Sequence, residues 1–192
     1  MQIVNTSGVS RLTKFFTTPQ KPPQVLVEKI FSLISPRSQA LCNFLDAPEL
    51  DPLLNHPSRS GEKLRIIYRN YATLYFVFVV DSSESELGVL DLIQVFVEAL
   101  DRAFQNVCEL DLVFNFDDAH HILSEVVQGG IVLETSVDEI QAAVQQASQA
   151  RQKSFSSANP LALGSGNKGS RGGGIQTPFG WFAGRFSGSG TR

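Results

Sequence analysis

The sequence predicts an α+β fold, an antiparallel meander of strands with helices packed on its faces. Three observations carry this. Tyr71 to Val80 reads Tyr-Ala-Thr-Leu-Tyr-Phe-Val-Phe-Val-Val, apolar on both faces, as a central strand covered on both sides requires. From Ser85 onward, Leu87, Leu90, Ile93, Val97, Leu100 and Phe104 recur at helical spacing, with Asp91, Glu98, Asp101 and Arg102 off that stripe. The order of elements is strand, strand, helix, strand, strand, helix, helix, helix, grouped rather than alternating.

The elements follow in turn. Ile3-Val4 ends a first strand, Gly8 marks a turn, and Val9 to Thr17 has strand composition. Pro22-Pro23 opens a helix through Val25, Leu26, Lys29, Ile30, Leu33 and Ile34, because proline lacks only an N–H that the first turn leaves unpaired. Pro36 ends it. Residues 46–62, with Pro48, Pro52, Pro57 and Gly61, read as a loop. Leu64 to Tyr68 pairs with the Tyr71–Val80 strand. Asp81 to Glu84 is rich in capping residues and precedes the helix from Ser85. A second long helix is predicted from Glu109 to Gln128 through Leu110, Val113, Phe114, Ile122 and Val126, with Gly129-Gly130 as its C-cap. A last helix, Val137 to Lys153, is rich in Ala and Gln.

Composition narrows the function. The 192 residues carry 16 Lys+Arg and 19 Asp+Glu, a net charge of −3. This weakly acidic balance argues against a dedicated nucleic-acid binder, which usually shows a clustered basic face. Two cysteines, Cys42 and Cys108, are too few for a disulfide scaffold, so reduced thiols in the cytosol are expected. No run of eighteen apolar residues is present, and the first residues are too polar for a signal peptide. Any membrane contact is therefore expected to be indirect. Charge is uneven: residues 154–192 hold four basic and no acidic residues, against 12 basic and 19 acidic before them. Ten of fifteen glycines also fall there, so 1–153 is read as the folded domain and 154–192 as a disordered Gly/Ser-rich tail. Within the tail, Pro178 to Arg185 and Phe186 gather four aromatics, either a docking motif or an idle patch.

Catalytic chemistry finds little support. His121 and Glu125 stand one helical turn apart, near His120, Asp117 and Asp118, but no third ligand or HExxH pattern accompanies them, so a solvated helix face is expected. Cys108 has no basic neighbour in sequence to activate it. Neither a phosphate loop after a strand nor a GxSxG elbow occurs. No enzyme activity, metal or cofactor is expected. Arg11 and Arg69 suit carboxylate or phosphate pairing if they share a sheet edge, and are otherwise surface charge.

Several blocks, in order and at matching spacing, carry a family resemblance. Asn5-Thr6-Ser7-Gly8-Val9-Ser10-Arg11-Leu12-Thr13-Lys14-Phe15-Phe16, Ile66 to Phe76, Phe96-Val97-Glu98 and Asn106 to Phe116 resemble the sigma (small) subunits of clathrin-type heterotetrameric adaptor complexes. Asp81 to Gly88 with Leu90 to Glu98 is most similar to the sigma type of adaptor complex three. The resemblance covers about residues 1–150. It implies a longin-like fold, a five-stranded antiparallel sheet flanked by helices. It implies a subunit of vesicle-mediated transport between Golgi or endosome and vacuole or lysosome, cytoplasmic and peripheral on those membranes. The implied partners are a delta-type large subunit in direct contact, and beta-type and mu subunits in the same complex. It further implies a site for acidic dileucine signals, an acidic residue followed four positions later by Leu-Leu or Leu-Ile, in cargo tails. Carried over position by position, that site is Arg11 for the acid, and Ala72, Leu74, Phe76, Val97, Asn106, Val107 and Leu112 for the two leucines. Ala72, Leu74 and Phe76 are expected to share one strand face.

Two alternatives differ in class. Another longin-type protein is the first: a vesicle SNARE needs heptads and an anchor that 154–192 lack, and the coatomer small subunit is not expected to carry the Asn106–Phe116 block so closely. An enzyme is the second, and needs convergent polar groups that the chain does not display. Three departures from the family stand out. Only Gln2-Ile3-Val4 stand before the Asn5 block, so either this strand is short or the sequence starts at an internal Met; a missing edge strand would expose unpaired backbone. The 46–62 loop is longer than in most sigma types, and the tail after 153 has no counterpart in the shortest family members.

Overall fold

The computed structural model describes residues 1–38, 41–54 and 63–157. Its centre is the strand that is apolar on both faces. β1 (Gln2–Asn5), β2 (Ser10–Thr13), β3 (Phe44–Asp46), β4 (Arg65–Tyr71) and β5 (Leu74–Val80) form one sheet in the order β2-β1-β5-β4-β3. All four neighbouring pairs are antiparallel. This is the expected five-stranded α+β architecture.

Both faces are covered because β5 alternates apolar side chains to each. On one face α1 (Pro23–Ile34) lays Leu26, Ile30 and Ile34 against Val4, Ile66, Tyr68 and Val77. On the other, α2 (Glu86–Phe104) buries Val89, Leu92, Ile93, Phe96, Ala99 and Leu100 against Ile3, Ile67, Phe76 and Phe78. Phe96 meets Phe76 edge to face at 6.2 Å. Burying each such side chain contributes about 1.5–3 kcal/mol before ordering costs. α3 (Glu109–Phe114), α4 (Phe116–Val126) and α5 (Val137–Ser157) complete this second layer through Leu112, Ile122, Leu123 and Ile140.

Several elements differ from expectation. β1 is not an edge strand. It lies between β2 and β5, all four residues buried, so its backbone is paired on both sides. β2 stops at Thr13 rather than Thr17, because β1 is too short to pair with more of it. The loop expected over 46–62 begins with the end of β3 and a 3-10 turn at Pro48–Leu50, whose Leu50 is fully buried; 55–62 lie outside the described residues. On α2 the buried stripe is rotated from the expected one: Leu87 is 70% exposed, and Leu90, Val97 and Phe104 sit at its edge. The helix expected over 109–128 is two helices. Asn115 leaves helical backbone at φ −116°, ends α3 by donating its N–H to Asp111, and starts α4 by accepting from Ala119. Gly129-Gly130 is not a C-cap. Both have positive φ and turn a small hairpin between β6 (Val127–Gln128) and β7 (Ile131–Val132). α5 continues to Ser157, and the rest of the expected tail, with its aromatic patch, lies outside the described residues.

The expected Tyr71–Val80 strand also breaks. Tyr71 pairs with Leu74, leaving Ala72-Thr73 as a two-residue turn with Ala72 at φ 51°. That region crowds a Cβ against the next carbonyl oxygen. Ala72→Gly should therefore raise stability by about 0.5–1 kcal/mol, read as a higher urea midpoint at unchanged slope. A second expectation concerns α4. Burial, with Lys14 and His121 nearby, holds the His120 imidazole below its ordinary pKa against the opposing pull of Asp117. Its Nε2 has no hydrogen-bond partner. The unfolded chain therefore takes up a proton first, and stability falls as pH drops through the ordinary value of 6.5 toward the lower folded one. In melting curves from pH 7.5 to 5, His120→Gln should flatten that part of the profile; an unchanged slope would assign it to other groups.

Candidate functional site

Three separate segments meet at one end of the sheet. The first is the β1–β2 turn. The side-chain oxygen of Asn5 accepts from the backbone N–H groups of Ser7 and Val9 at 3.0 and 2.9 Å, a local clamp that asparagine supplies well. Gly8 takes φ 81° within it. The second is the Ala72-Thr73 turn between β4 and β5. The third is the link from α2 to α3. Gln105 and Asn106 there adopt successive left-handed conformations, φ 55° and 71°, and the N–H groups of Gln105 and Val107 are bound by the Asp101 carbonyl and carboxylate.

Glu109, the first residue of α3, joins all three. Its Oε1 accepts from Asn5 Nδ2 at 3.0 Å and Arg11 Nε at 2.8 Å, with Arg11 Nη2 at 2.7 Å. Its Oε2 accepts from Thr73 Oγ1 at 3.3 Å. The hydrogen bonds from Asn5 and Arg11, the Arg11 charge and the Thr73 hydroxyl together hold the Glu109 carboxyl below the usual carboxylate range, with desolvation opposing. Arg11 and Glu109 side chains are each about a quarter exposed, 26% and 25%.

The eight expected site residues divide by burial. Leu74, Phe76 and Leu112 are core, 7%, 2% and 1% exposed, and pack in the cluster under α2. Val97 and Val107 are half-buried at the margin of that cluster. Arg11 is partly exposed, and Ala72 and Asn106 are exposed. Leu74 and Phe76 share a face of β5, as expected. Ala72 does not share that strand face, because it occupies the turn. Asn106 needs no ligand to explain it, since asparagine tolerates its left-handed backbone. Arg69 is not gathered with Arg11: its Nη1 donates to Gln94 Oε1 at 3.0 Å and to Tyr71 Oη at 3.3 Å.

Glu109 is the residue that spacing alone did not single out. Its helix start was legible, but its partners lie 104, 98 and 36 residues away in sequence. A buried asparagine amide and an arginine on neighbouring strands, both needing an acceptor, were the available clue. Beside it, α3 and the start of α4 expose Leu110, Val113, Phe114 and Phe116, at 62%, 43%, 80% and 47%. A cleft of about 280 Å³ lies at the opposite end of the strands, lined by Met1, Lys14, Phe16 and Val80 among others.

The histidine–acid group on α4 is partly covered rather than fully solvated. His121 Nε2 lies 2.7 Å from Arg151 of α5, with Asp118 at 4.0 Å from the same guanidinium. Among the described residues no three His, Cys, Asp or Glu side chains are placed to hold a metal ion. Among them, too, no helix is long and apolar enough to cross a membrane.

Comparison with known proteins shows what the chain is similar to. Residues 1–151 match the family model of the clathrin adaptor complex small chain. The AP-3 complex subunit sigma of Schizosaccharomyces pombe is 56% identical over 144 residues, 74% of this chain and 81% of that protein. The human AP-3 complex subunit sigma-2 is 51% identical, covering 74% and 70%. The Arabidopsis thaliana AP-3 sigma subunit is 45% identical, covering 78% and 85%. A chain in a structure described as a homology model of the full-length AP-3 complex in a stretched open conformation superposes with TM-score 0.58 at 43% identity, covering 81% of this chain and 96% of that one. Adaptor small chains are binding and assembly proteins of vesicle transport, not enzymes. With the fold, the sequence blocks and the relatives in agreement, the chain belongs to the clathrin adaptor complex small chain family, among proteins similar to AP-3 sigma subunits.

Proposed function

We propose that this chain is the sigma subunit of an AP-3-type heterotetramer and contributes the site for acidic dileucine signals in cargo tails. In this reading residues 1–153 are the working domain, 154–192 an appended tail, and the protein acts on the cytosolic face of Golgi, endosomal and vesicle membranes. A delta-type large subunit is its direct partner, with beta-type and mu subunits completing the complex. The exposed apolar residues of α3, Leu110, Val113 and Phe114, support a protein partner on that side.

The observation that carries the signal-binding part is the convergence at Glu109. Arg11, the Ala72-Thr73 turn and the Asn106–Val107 link, which leads into Glu109, meet at one junction, and Val97 and Val107 are half-buried against the core cluster that also holds Leu74, Phe76 and Leu112. The leucines of a signal would lie over Val97 and Val107, with Leu74, Phe76 and Leu112 as the floor beneath. Each leucine taken from water contributes about 1.5–3 kcal/mol before ordering costs, which suits a reversible contact. Arg11 would meet the acidic residue.

The test is titration of a labelled acidic dileucine peptide against this chain co-purified with a delta-type trunk. Replacing either leucine by serine should weaken binding roughly tenfold or more. Arg11→Glu should abolish it, and Val97→Asp should do the same while leaving the pair assembled. Binding unaffected by the leucines, by Arg11 and by Val97 would overturn the assignment.

A further inference from the structure

We infer that Asp101 is a positioning residue for the leucines of the signal, holding the link between α2 and α3 in the strained form that presents Val107; the inference rests on the signal-binding reading above and deepens it. Asp101 stands one helical turn after Val97 on α2, on the same face of that helix. Its carboxylate Oδ1 accepts from the Val107 N–H at 3.1 Å, and its backbone carbonyl accepts from the Gln105 N–H at 2.8 Å. One residue therefore ties the helix that carries Val97 to the link that carries Asn106 and Val107.

The link needs such a tie. Gln105 and Asn106 stand at φ 55° and 71°, and two consecutive non-glycine residues in left-handed backbone cost free energy that their surroundings must offset. Both are exposed, so burial of their own side chains does not hold them there; the hydrogen bonds to Asp101 add to the packing of α2 beneath. The next N–H, that of Cys108, is taken by Asp111 Oδ2 at 2.9 Å, so α3 caps its own start and Asp101 serves the link before it. Without the Asp101 carboxylate, Gln105 and Asn106 relax toward ordinary backbone. Val107, half-buried at the margin of the core cluster, moves with them. A leucine then meets a surface that must be ordered on binding, and that ordering weakens the contact. Asp101 is itself exposed, so replacing it leaves the core untouched.

Two measurements on this chain assembled with a delta-type trunk decide the matter. The first is hydrogen exchange of the Val107 amide, which Asp101→Ala should quicken about tenfold. Unchanged exchange would overturn the inference whatever the peptides do. The second is titration of three peptides, an acidic dileucine signal and its versions with either leucine changed to serine. Asp101→Ala should weaken the dileucine peptide about tenfold, the scale of one hydrogen bond to a charged group. It should also shrink the penalty for losing a leucine, for at least one of the two, to about threefold. Asp101→Asn keeps an Oδ1 acceptor and should bind within about threefold of the native pair. Adding Gln105→Gly to Asp101→Ala should recover about threefold, because glycine takes positive φ without strain. Equal weakening of all three peptides by Asp101→Ala would assign Asp101 to general support of the fold and overturn the inference. Native affinity in Asp101→Ala would overturn it too, as would a loss in Asp101→Asn as large as in the alanine variant. Absence of leucine dependence in the native pair would overturn the signal-binding reading itself, and this inference with it.

Discussion

Burial of the sheet on both faces is the constraint from which the rest of the structure follows. β1 has four residues, yet it occupies an interior position and is buried along its whole length. Ile3 points into the core under α2, and Val4, the next residue, into the core under α1. A one-residue slip would exchange these faces and send both side chains to the wrong layer. Register is thus fixed by packing, and the end of β1 is fixed with it. That end is Asn5, buried at 9% exposure, paired with Leu74 across the sheet. The same strand that holds the two layers together delivers the amide that clamps the first turn and reaches Glu109.

The junction at Glu109 therefore inherits its precision from the core. A partly exposed ion pair stabilises a fold little in water, because both groups are well hydrated when apart. What the Glu109 contacts do is geometric: they tie α3 to two hairpin turns that are themselves joined by the Thr6 N–H donating to the Thr73 carbonyl at 3.0 Å. Backbone strain collects at the same place. Ala72, Gln105 and Asn106 are the non-glycine residues with positive φ among those described, and all three flank the junction. Such conformations cost free energy and persist where the surroundings over-determine them. The packing of β5 and α2 beneath, through Leu74, Phe76 and Phe96, supplies that over-determination.

Much of the fold was legible because local pattern and tertiary demand agreed. β5 is apolar on both faces and sits in the middle of the sheet; Pro22-Pro23 opens α1 where a proline is harmless. Legibility failed where two patterns competed. α2 carries apolar residues over more than one stripe, and only the sheet decides that Val89, Leu92, Phe96 and Ala99 go inward while Leu87 stays in water. Asn115 looks tolerable in a helix until its backbone is needed to redirect the chain. Gly129-Gly130 suits a cap and a hairpin turn equally well. At the site, Arg11 and the apolar positions were visible through the sequence blocks, whereas Glu109 acquires its role only when Asn5, Arg11 and Thr73 are brought to it from distant parts of the chain.

This arrangement divides labour between the chain and whatever covers it. In the proposed reading the apolar part of the site would be built here, over a floor that is already core and a rim at the half-buried Val97 and Val107. The electrostatic part would be built here only in part, since Arg11 already pairs with Glu109. In the proposed reading a second protein beside Arg11 would add further positive charge for the acid, and α3 exposes Leu110, Val113 and Phe114. A site of this kind has a physical reason to be weak in the isolated subunit and effective in the assembly: apolar contact alone is reversible, and charge is completed only when the partner's surface arrives. Selectivity would thereby be tied to assembly without any moving part in the small chain itself.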